Sequence, residues 1–214
     1  RDYYASRGLG DVYKRQLKYN IIMKRILENS KSWNDGRVQN ITFIVTKDCQ
    51  LACKYCYLVG KNEKEQMSWN VAQQAIDYIL SNEDYFREQS VVWDFIGGEP
   101  FLEIELIDRI CDYIKEEMFR LNHHWFNSYR FSFSTNGINY NSDKIQLFIK
   151  KNLKHLSIGI TIDGTREKHD LNRIWKGNGI EKGSYDDVIQ NIPLWLSQFP
   201  NGSTKVTISS PDIQ

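Results

Sequence analysis

The sequence predicts an α/β fold built on a parallel sheet, and two observations support that class. From residue 41 onward, short segments with strand periodicity alternate with longer segments whose apolar residues recur at three- and four-residue steps. Such alternation indicates right-handed βαβ units. Small or polar residues also follow several predicted strands, at the edge where barrel enzymes build their sites. Both a doubly wound sheet and a complete or partial (β/α) barrel fit these patterns, and periodicity does not choose between them.

The N-terminal stretch is expected to lie outside the main domain. Residues 1–16 show neither helical nor strand periodicity and do not begin with methionine, so we interpret them as a non-native leader. Residues 17–40 form a predicted N-terminal extension, with a short amphipathic helix around positions 21–27. The core domain is therefore predicted over residues 41–214.

The first predicted strand covers residues 41–46, and a helix follows it. Ser68 is a good N-cap for this helix, since its side-chain oxygen can accept a hydrogen bond from a free backbone amide. Four apolar residues are expected to share the buried face: Val71, Ala75, Ile76 and Ile79. The second predicted strand, residues 91–96, ends at a pair of glycines.

The second helix is marked by apolar residues at three- and four-residue steps. These are Ile104, Ile107, Cys111 and Ile114. Residues 129–134 alternate aromatic and polar side chains, the period of a strand, and residues 143–152 form a third helix. Large strand residues are expected in the core, namely Trp93, Phe95, Phe131 and Phe133.

The last third of the chain continues the pattern. Alternating apolar residues predict a fourth strand over residues 156–162. Residues 184–199 predict a fourth helical stretch, bent or interrupted at Pro193 because proline lacks the backbone donor. Residues 205–209 form a fifth predicted strand.

Composition excludes several classes of function. The 28 Lys and Arg residues nearly balance 27 Asp and Glu residues, so charge favours neither nucleic acid nor an anionic membrane as a partner. No apolar run is long enough to cross a bilayer, and no secretory signal is visible. Three of the four cysteines are clustered, which favours metal ligation in a reducing compartment over disulfides. We expect a cytoplasmic globular protein.

Cys49, Cys53 and Cys56 form the most informative motif, spaced Cys-x3-Cys-x2-Cys after the first strand. A structural zinc site needs four ligands, and no fourth Cys or His lies within twenty residues. A cubane iron–sulfur cluster held by three thiolates keeps one iron open for a small molecule. A zinc knuckle, or three unrelated thiols, is the alternative. Cys111 is expected to be a buried core thiol, and His123 with His124 to be at most an adventitious metal site.

The cysteine spacing, followed by an aromatic residue, resembles the signature of the radical SAM superfamily. The segment Gly97-Gly98-Glu99-Pro100 resembles that family's Gly-Gly-Glu-Pro motif. The segment from Thr161 to Arg173 resembles the Ser-x-Asp-Gly…His-x-x-x-Arg pattern of its peptide and protein maturases, including anaerobic sulfatase-maturating enzymes, with Thr161 in place of the usual Ser. The resemblance implies a partial (β/α)6 TIM-like barrel, incomplete at the C-terminus.

The resemblance also implies two cofactors, a 4Fe-4S cluster on the three cysteines and S-adenosylmethionine beside it. The residues expected to bind S-adenosylmethionine are Tyr55, Gly97, Gly98, Glu99, Ser134, Asn136, Thr161 and Arg173. In the family, the glycine motif binds the methionine amino group, the aromatic residue packs on the adenine side, and the arginine contacts the cofactor. Turns and loop packing are the alternative for most of these residues, and for Asp163 and His169.

The implied activity is reductive cleavage of S-adenosylmethionine to a 5′-deoxyadenosyl radical, which abstracts hydrogen from a peptide or protein substrate. An electron donor such as flavodoxin or ferredoxin would be a further partner. A small-molecule substrate and a non-catalytic metal- or cluster-binding scaffold are the alternatives. We expect the auxiliary-cluster domain and the substrate-side acid/base residue of complete maturases to lie beyond residue 214.

Overall fold

The computed structural model describes residues 38–58, 63–177 and 182–208. The predicted leader, residues 1–16, lies outside the described residues, as does the extension up to residue 37 with its predicted helix. The first strand begins at Val38, three residues before the predicted start of the core domain.

The five strands of the described residues form one sheet. They are β1 (Val38–Thr46), β2 (Ser90–Gly97), β3 (Tyr129–Thr135), β4 (Leu156–Thr161) and β5 (Thr204–Lys205). Every neighbouring pair is parallel, and the spatial order is the chain order. A doubly wound sheet reverses its strand order at a switch point, whereas a barrel does not. The fold is therefore a partial (β/α) barrel, which resolves the choice that periodicity left open.

Six α-helices connect the described strands. They are α1 (Trp69–Ser81), α2 (Ile104–Arg120), α3 (Asp143–Asn152), α4 (Arg166–Asn172), α5 (Tyr185–Ile189) and α6 (Ile192–Gln198). The Ser68 cap is confirmed, because its hydroxyl accepts a hydrogen bond from the Val71 amide at 3.3 Å. Among the described residues, no helix is both long and apolar enough to span a bilayer.

Two helical predictions need correction, and a third is confirmed in part. Val71 was expected on the buried face of α1 but is 54% exposed, and Ala72 takes that place because it lies four residues before Ile76. The fourth helical stretch is interrupted as predicted, into α5 and α6, but the break precedes Pro193, which lies in the first turn of α6, where a missing donor costs nothing. Helix α4 was not predicted.

An aromatic layer between the sheet and the helices forms the core. The predicted core residues Trp93, Phe95, Phe131 and Phe133 are all buried. Phe95 stacks on Phe133 with ring centroids 5.1 Å apart. All four predicted residues of α2 are buried too, including Cys111, whose thiol pKa burial raises well above the usual value. The opposite face of β2 and β3 carries partly exposed residues, so one face of the sheet supports the helices and the other stays open.

Candidate active site

The three clustered cysteines line one cavity at the carboxyl ends of the strands, about 350 Å³ in volume. Each of the three is a reduced cysteine, outside any disulfide. Ten of the eleven predicted site residues line this cavity: Cys49, Cys53, Tyr55, Cys56, Gly97, Gly98, Ser134, Asn136, Thr161 and Arg173. The parallel sheet brings most of them together, because they lie at or beyond the carboxyl ends of its strands, and Arg173 joins them from the C-terminal end of α4.

The three sulfurs are less closely grouped in this structure than the ligands of one bound zinc ion would be. Among the described residues, one group of three potential metal-ligating side chains has all its ligand atoms within 4.8 Å of one another, and it contains none of the cysteines. At least two of the sulfurs are therefore farther apart than that limit. Sulfurs on one tetrahedral zinc, at Zn–S of about 2.3 Å, would be about 3.8 Å apart.

The cysteine loop is held by the segment 172–176, which follows α4. Leu51 and Trp175 form an antiparallel bridge. Three backbone hydrogen bonds join the two segments: Ala52 N to Ile174 O at 2.8 Å, Lys54 N to Asn172 O at 3.0 Å, and Lys176 N to Gln50 O at 2.8 Å. The segment that carries Arg173 therefore also sets the path of the cysteine loop.

Gly97 and Gly98 lie against the chain where it enters the cysteine loop. The Gly98 amide donates to Thr46 O at 2.8 Å. A Cβ atom on Gly97 would be 2.3 Å from Thr46 O, and one on Gly98 would be 2.1 Å from Asp48 O. Both glycines are thus required by the close approach of two backbones, whatever the cavity binds.

Glu99 is the predicted site residue that does not line the cavity. Its carboxylate is 1% exposed and lies behind the cavity wall, where it accepts three hydrogen bonds. The donors are Thr135 Oγ1 and Asn136 N, both at 2.7 Å, and Phe101 N at 3.1 Å. Burial raises the pKa of Glu99, and these bonds partly oppose that shift. Glu99 therefore ties the end of β2 to the end of β3, and its contact with a cofactor stays a prediction.

Asn136 connects the end of β3 to the cysteine loop. Its Nδ2 donates to Gln50 Oε1 at 3.1 Å and lies 3.9 Å from Cys49 Sγ.

Five residues that line the cavity were not among the predicted site residues: Tyr57, Ile96, Thr135, Lys205 and Thr207. Lys205 pairs in register with Thr161, and its ammonium group donates to Ser134 Oγ. Lys205 was predicted to begin the fifth strand, over residues 205–209, whereas β5 ends at this residue, so the strand-end criterion could not identify it from the sequence.

Arg173 is buried, at 6% exposure, and its Nη1 donates to the Tyr55 hydroxyl at 2.9 Å. Its Nε atom is buried and has no hydrogen-bond partner among the described residues. The Tyr55 hydroxyl also bonds Asp163 Oδ2, and burial raises the pKa of Tyr55. Arg173 therefore lines the cavity with a guanidinium that keeps one donor unsatisfied by the described residues.

His169 is fully buried and has two hydrogen-bond partners, the Asp163 amide and the Ser184 hydroxyl. Burial, and then the nearby charge of Arg173, lowers the pKa of His169. These contacts favour the structural interpretation of this histidine.

In the pair His123 and His124, the first histidine is more buried than the polar sequence around it predicts. His123 is 1% exposed, and its Nδ1 accepts a hydrogen bond from the Trp125 amide at 3.2 Å. Burial, and then its neighbour His124, lowers the pKa of His123 to about 4. With Glu83, the pair forms the group of three whose ligand atoms lie within 4.8 Å. Because Nδ1 is an acceptor, neutral His123 carries its proton on Nε2, so neither nitrogen has a free lone pair for a metal.

The chain belongs to the radical SAM superfamily, whose family model matches residues 43–209. It is 33% identical to an uncharacterized protein of Methanocaldococcus jannaschii over 168 residues, covering 76% of this chain and 53% of the relative. It is 28% identical to the cysteine-type anaerobic sulfatase-maturating enzyme of Clostridium novyi over 152 residues, covering 70% of this chain and 38% of that enzyme. The family resemblance predicted from the motifs is confirmed.

Solved structures share the fold. Native anSMEcpe with bound AdoMet and Cp18Cys peptide matches with a TM-score of 0.58 at 20% identity, over 79% of this chain and 42% of that chain. A histidine-tagged form of anSMEcpe with bound AdoMet gives a TM-score of 0.61 at 19% identity, over 79% of this chain and 43% of that chain. The chain spans about half, or less, of the length of these relatives.

Proposed function

We propose that this protein is a radical SAM enzyme that holds a 4Fe-4S cluster on Cys49, Cys53 and Cys56. The observation that carries the proposal is the arrangement of the thiols. They are reduced, and they line one cavity at the carboxyl ends of the strands together with Arg173. Soft thiolates in such a set suit an iron–sulfur cluster.

The rest of the cavity fits S-adenosylmethionine. Its volume of about 350 Å³ is within the usual range for a small-molecule site. Arg173 lines the cavity, and its guanidinium would form a charge-assisted hydrogen bond with the carboxylate of the cofactor. When both groups are bound, they would supply the chemistry of reductive S-adenosylmethionine cleavage to a 5′-deoxyadenosyl radical and hydrogen abstraction from the substrate.

The chain's own residues would bind, orient and shield the cofactor. Arg173 would hold its carboxylate, and the backbone at Gly97 and Gly98 would approach its amino group, with Glu99 fixing that segment from behind. The Tyr55 ring would pack on the adenine side. Ser134, Asn136 and Thr161 would supply polar contacts from the ends of β3 and β4, where they line the cavity.

We assign a peptide or protein substrate to the full activity, with flavodoxin or ferredoxin as the electron donor. The similarity to a sulfatase-maturating enzyme supports this assignment, as does the fold shared with a structure that contains a peptide. A small-molecule substrate is the second candidate within the same chemistry. A zinc- or cluster-binding scaffold is the candidate outside enzymology.

The decisive experiment reconstitutes the protein anaerobically with iron and sulfide and measures 5′-deoxyadenosine formed with dithionite. We expect bound iron and product in the wild type, and loss of both when Cys49, Cys53 or Cys56 is replaced by alanine. Cys111→Ala is the matched control, because this thiol is buried in the core away from the cavity, and it should keep both.

Two results would contradict the proposal. The first is one tightly held zinc per chain without iron, which favours the scaffold. The second is iron content and cofactor cleavage that survive all three cysteine substitutions. The same assay distinguishes a peptide substrate from a small-molecule substrate. The true substrate should increase 5′-deoxyadenosine formation and become modified.

A further inference from the structure

We propose that Tyr55 and Asp163 are positioning residues that fix the Arg173 guanidinium and the cysteine loop before any ligand binds. This inference rests on the proposed function for its ligand, S-adenosylmethionine, but its structural part concerns the protein alone. It assigns the Tyr55 hydroxyl a role separate from that of the ring.

The first step is the direction of the hydrogen bonds. A guanidinium can only donate, so the Arg173 Nη1 bond of 2.9 Å makes the Tyr55 hydroxyl an acceptor. That hydroxyl then donates its own proton to Asp163 Oδ2. The chain of bonds therefore has one polarity, from Arg173 through Tyr55 to Asp163.

The second step is that both carboxylate oxygens of Asp163 accept hydrogen bonds within the protein. Its other oxygen, Oδ1, accepts from the Thr207 amide at 3.0 Å, just beyond β5. Both carboxylate oxygens thus have partners inside the protein, and the residue is 4% exposed. Asp163 therefore links the end of β4 to Thr207, just beyond β5, and to Tyr55 in the cysteine loop. We assign it no direct contact with substrate.

The third step is how Asp163 is itself held. The Asp163 amide donates to His169 Nδ1 at 3.3 Å, so neutral His169 carries its proton on Nε2. That nitrogen donates to Ser184 Oγ at 3.0 Å, and Ser184 donates to the Arg173 carbonyl at 2.8 Å. The network therefore begins at the side chain of Arg173 and returns to its backbone.

The network affects the cavity because it fixes the orientation of the Arg173 guanidinium. Nη1 is held by Tyr55, while Nε is buried without a partner among the described residues. Tyr55 lies between Cys53 and Cys56, so the same hydroxyl that orients the guanidinium also restrains the loop that carries the thiols. An anion in the cavity would thus meet a guanidinium whose orientation Tyr55 has already fixed.

Tyr55→Phe tests the inference, because it removes the hydroxyl and keeps the ring. Asp163→Asn is the second variant. An amide nitrogen facing Tyr55 would reverse the polarity, since the hydroxyl would accept from both sides and leave its own proton unpaired. Tyr85→Phe makes the same chemical change on a tyrosine that is 79% exposed, and serves as the matched control.

Two measurements are needed, one without the cofactors. In cluster-free protein, hydrogen exchange should accelerate at the amides of Ala52 and Lys54 in Tyr55→Phe and Asp163→Asn, with global protection unchanged. In reconstituted protein, the dissociation constant for S-adenosylmethionine should rise about tenfold in both variants, as for residues that orient a ligand from behind. Tyr85→Phe should match the wild type in both.

The outcomes separate this inference from the proposed function. If the Tyr55 and Asp163 variants match the control in both measurements, the positioning role is wrong. Exchange that accelerates uniformly along the chain would also overturn it, because that indicates a general loss of stability. If the reconstituted wild type neither binds nor cleaves S-adenosylmethionine, the proposed function fails, while exchange in cluster-free protein still decides the positioning role.

Discussion

The middle of the sheet and the carboxyl ends of its strands are stabilised by different kinds of interaction. In the middle of the sheet, Trp93, Phe95 and Phe133 pack against the helices and are buried by apolar contact. At the carboxyl ends, Glu99 and Arg173 are equally withdrawn from water but are held by directed hydrogen bonds. Apolar burial is favourable for any well-packed arrangement, whereas a buried charge is tolerated only when specific partners satisfy it. The first region stabilises the fold, and the second fixes one arrangement of side chains around the cavity.

The largest expected effect is in the aromatic layer. Phe95 is fully buried and contacts Phe43, Phe131 and Phe133. Phe95→Ala should lower the free energy of unfolding by about 3 to 5 kcal/mol, because it removes apolar burial and leaves a cavity. Urea denaturation measures this loss.

Tyr85→Ala is the control for that prediction, because it truncates an aromatic side chain that is mostly exposed. Its cost should stay below about 1 kcal/mol. Equal losses in the two variants would show that burial in the aromatic layer does not dominate stability.

The next largest effect on the free energy of unfolding is expected at Glu99, in the hydrogen-bonded region at the carboxyl ends of the strands. Glu99→Ala leaves the Asn136 and Phe101 amides and the Thr135 hydroxyl without their acceptor, and should cost about 3 kcal/mol. Glu105→Ala, which removes an exposed ion pair with Lys144, should leave the free energy of unfolding nearly unchanged, because solvent screens the pair. Denaturation of both variants at neutral pH makes the comparison. A Glu99 variant as stable as the Glu105 variant would show that the buried bonds contribute little.

The smallest effect concerns His123, a titratable group beside the aromatic layer. Its pKa is about 4 in the folded protein and 6.5 unfolded, so the unfolded chain binds the proton more readily and stability falls as pH drops below 6.5. From pH 6.5 to 5 the contribution of this group should decrease by roughly 2 kcal/mol. His123→Asn keeps an acceptor for the Trp125 amide but cannot titrate, so its stability should depend less on pH. An unchanged pH dependence in this variant would assign the acid sensitivity to other groups.

Much of the fold was predictable because it depends on local patterns. The alternation at residues 129–134 and the three- and four-residue steps of α2 reflect strand and helix periods that any buried face must obey. Helix α4 is seven residues long with one buried side chain, so periodicity gave little signal for it. The interruption between α5 and α6 was predicted from Pro193, but the position of the break, before that residue, was not.

The site was predictable as a set of residues but not as a set of roles. Ten of the eleven predicted residues line the cavity, because spacing and strand ends determine which side chains meet there. Glu99 does not, since its carboxylate turns inward to three donors. Tyr55 was expected to contribute its ring, yet its hydroxyl links Arg173 to Asp163 across more than a hundred residues of sequence.

The sequence by itself determined the α/β class, the three-thiol motif and the superfamily, because these depend on residue types at fixed spacings along the chain. Only the tertiary structure decided the sequential order of the strands, the cavity that the three thiols share with Arg173, and the partners of each buried charge. The physical reason is that hydrogen bonds between distant segments depend on how the strands pack together, and local periodicity carries no record of that packing.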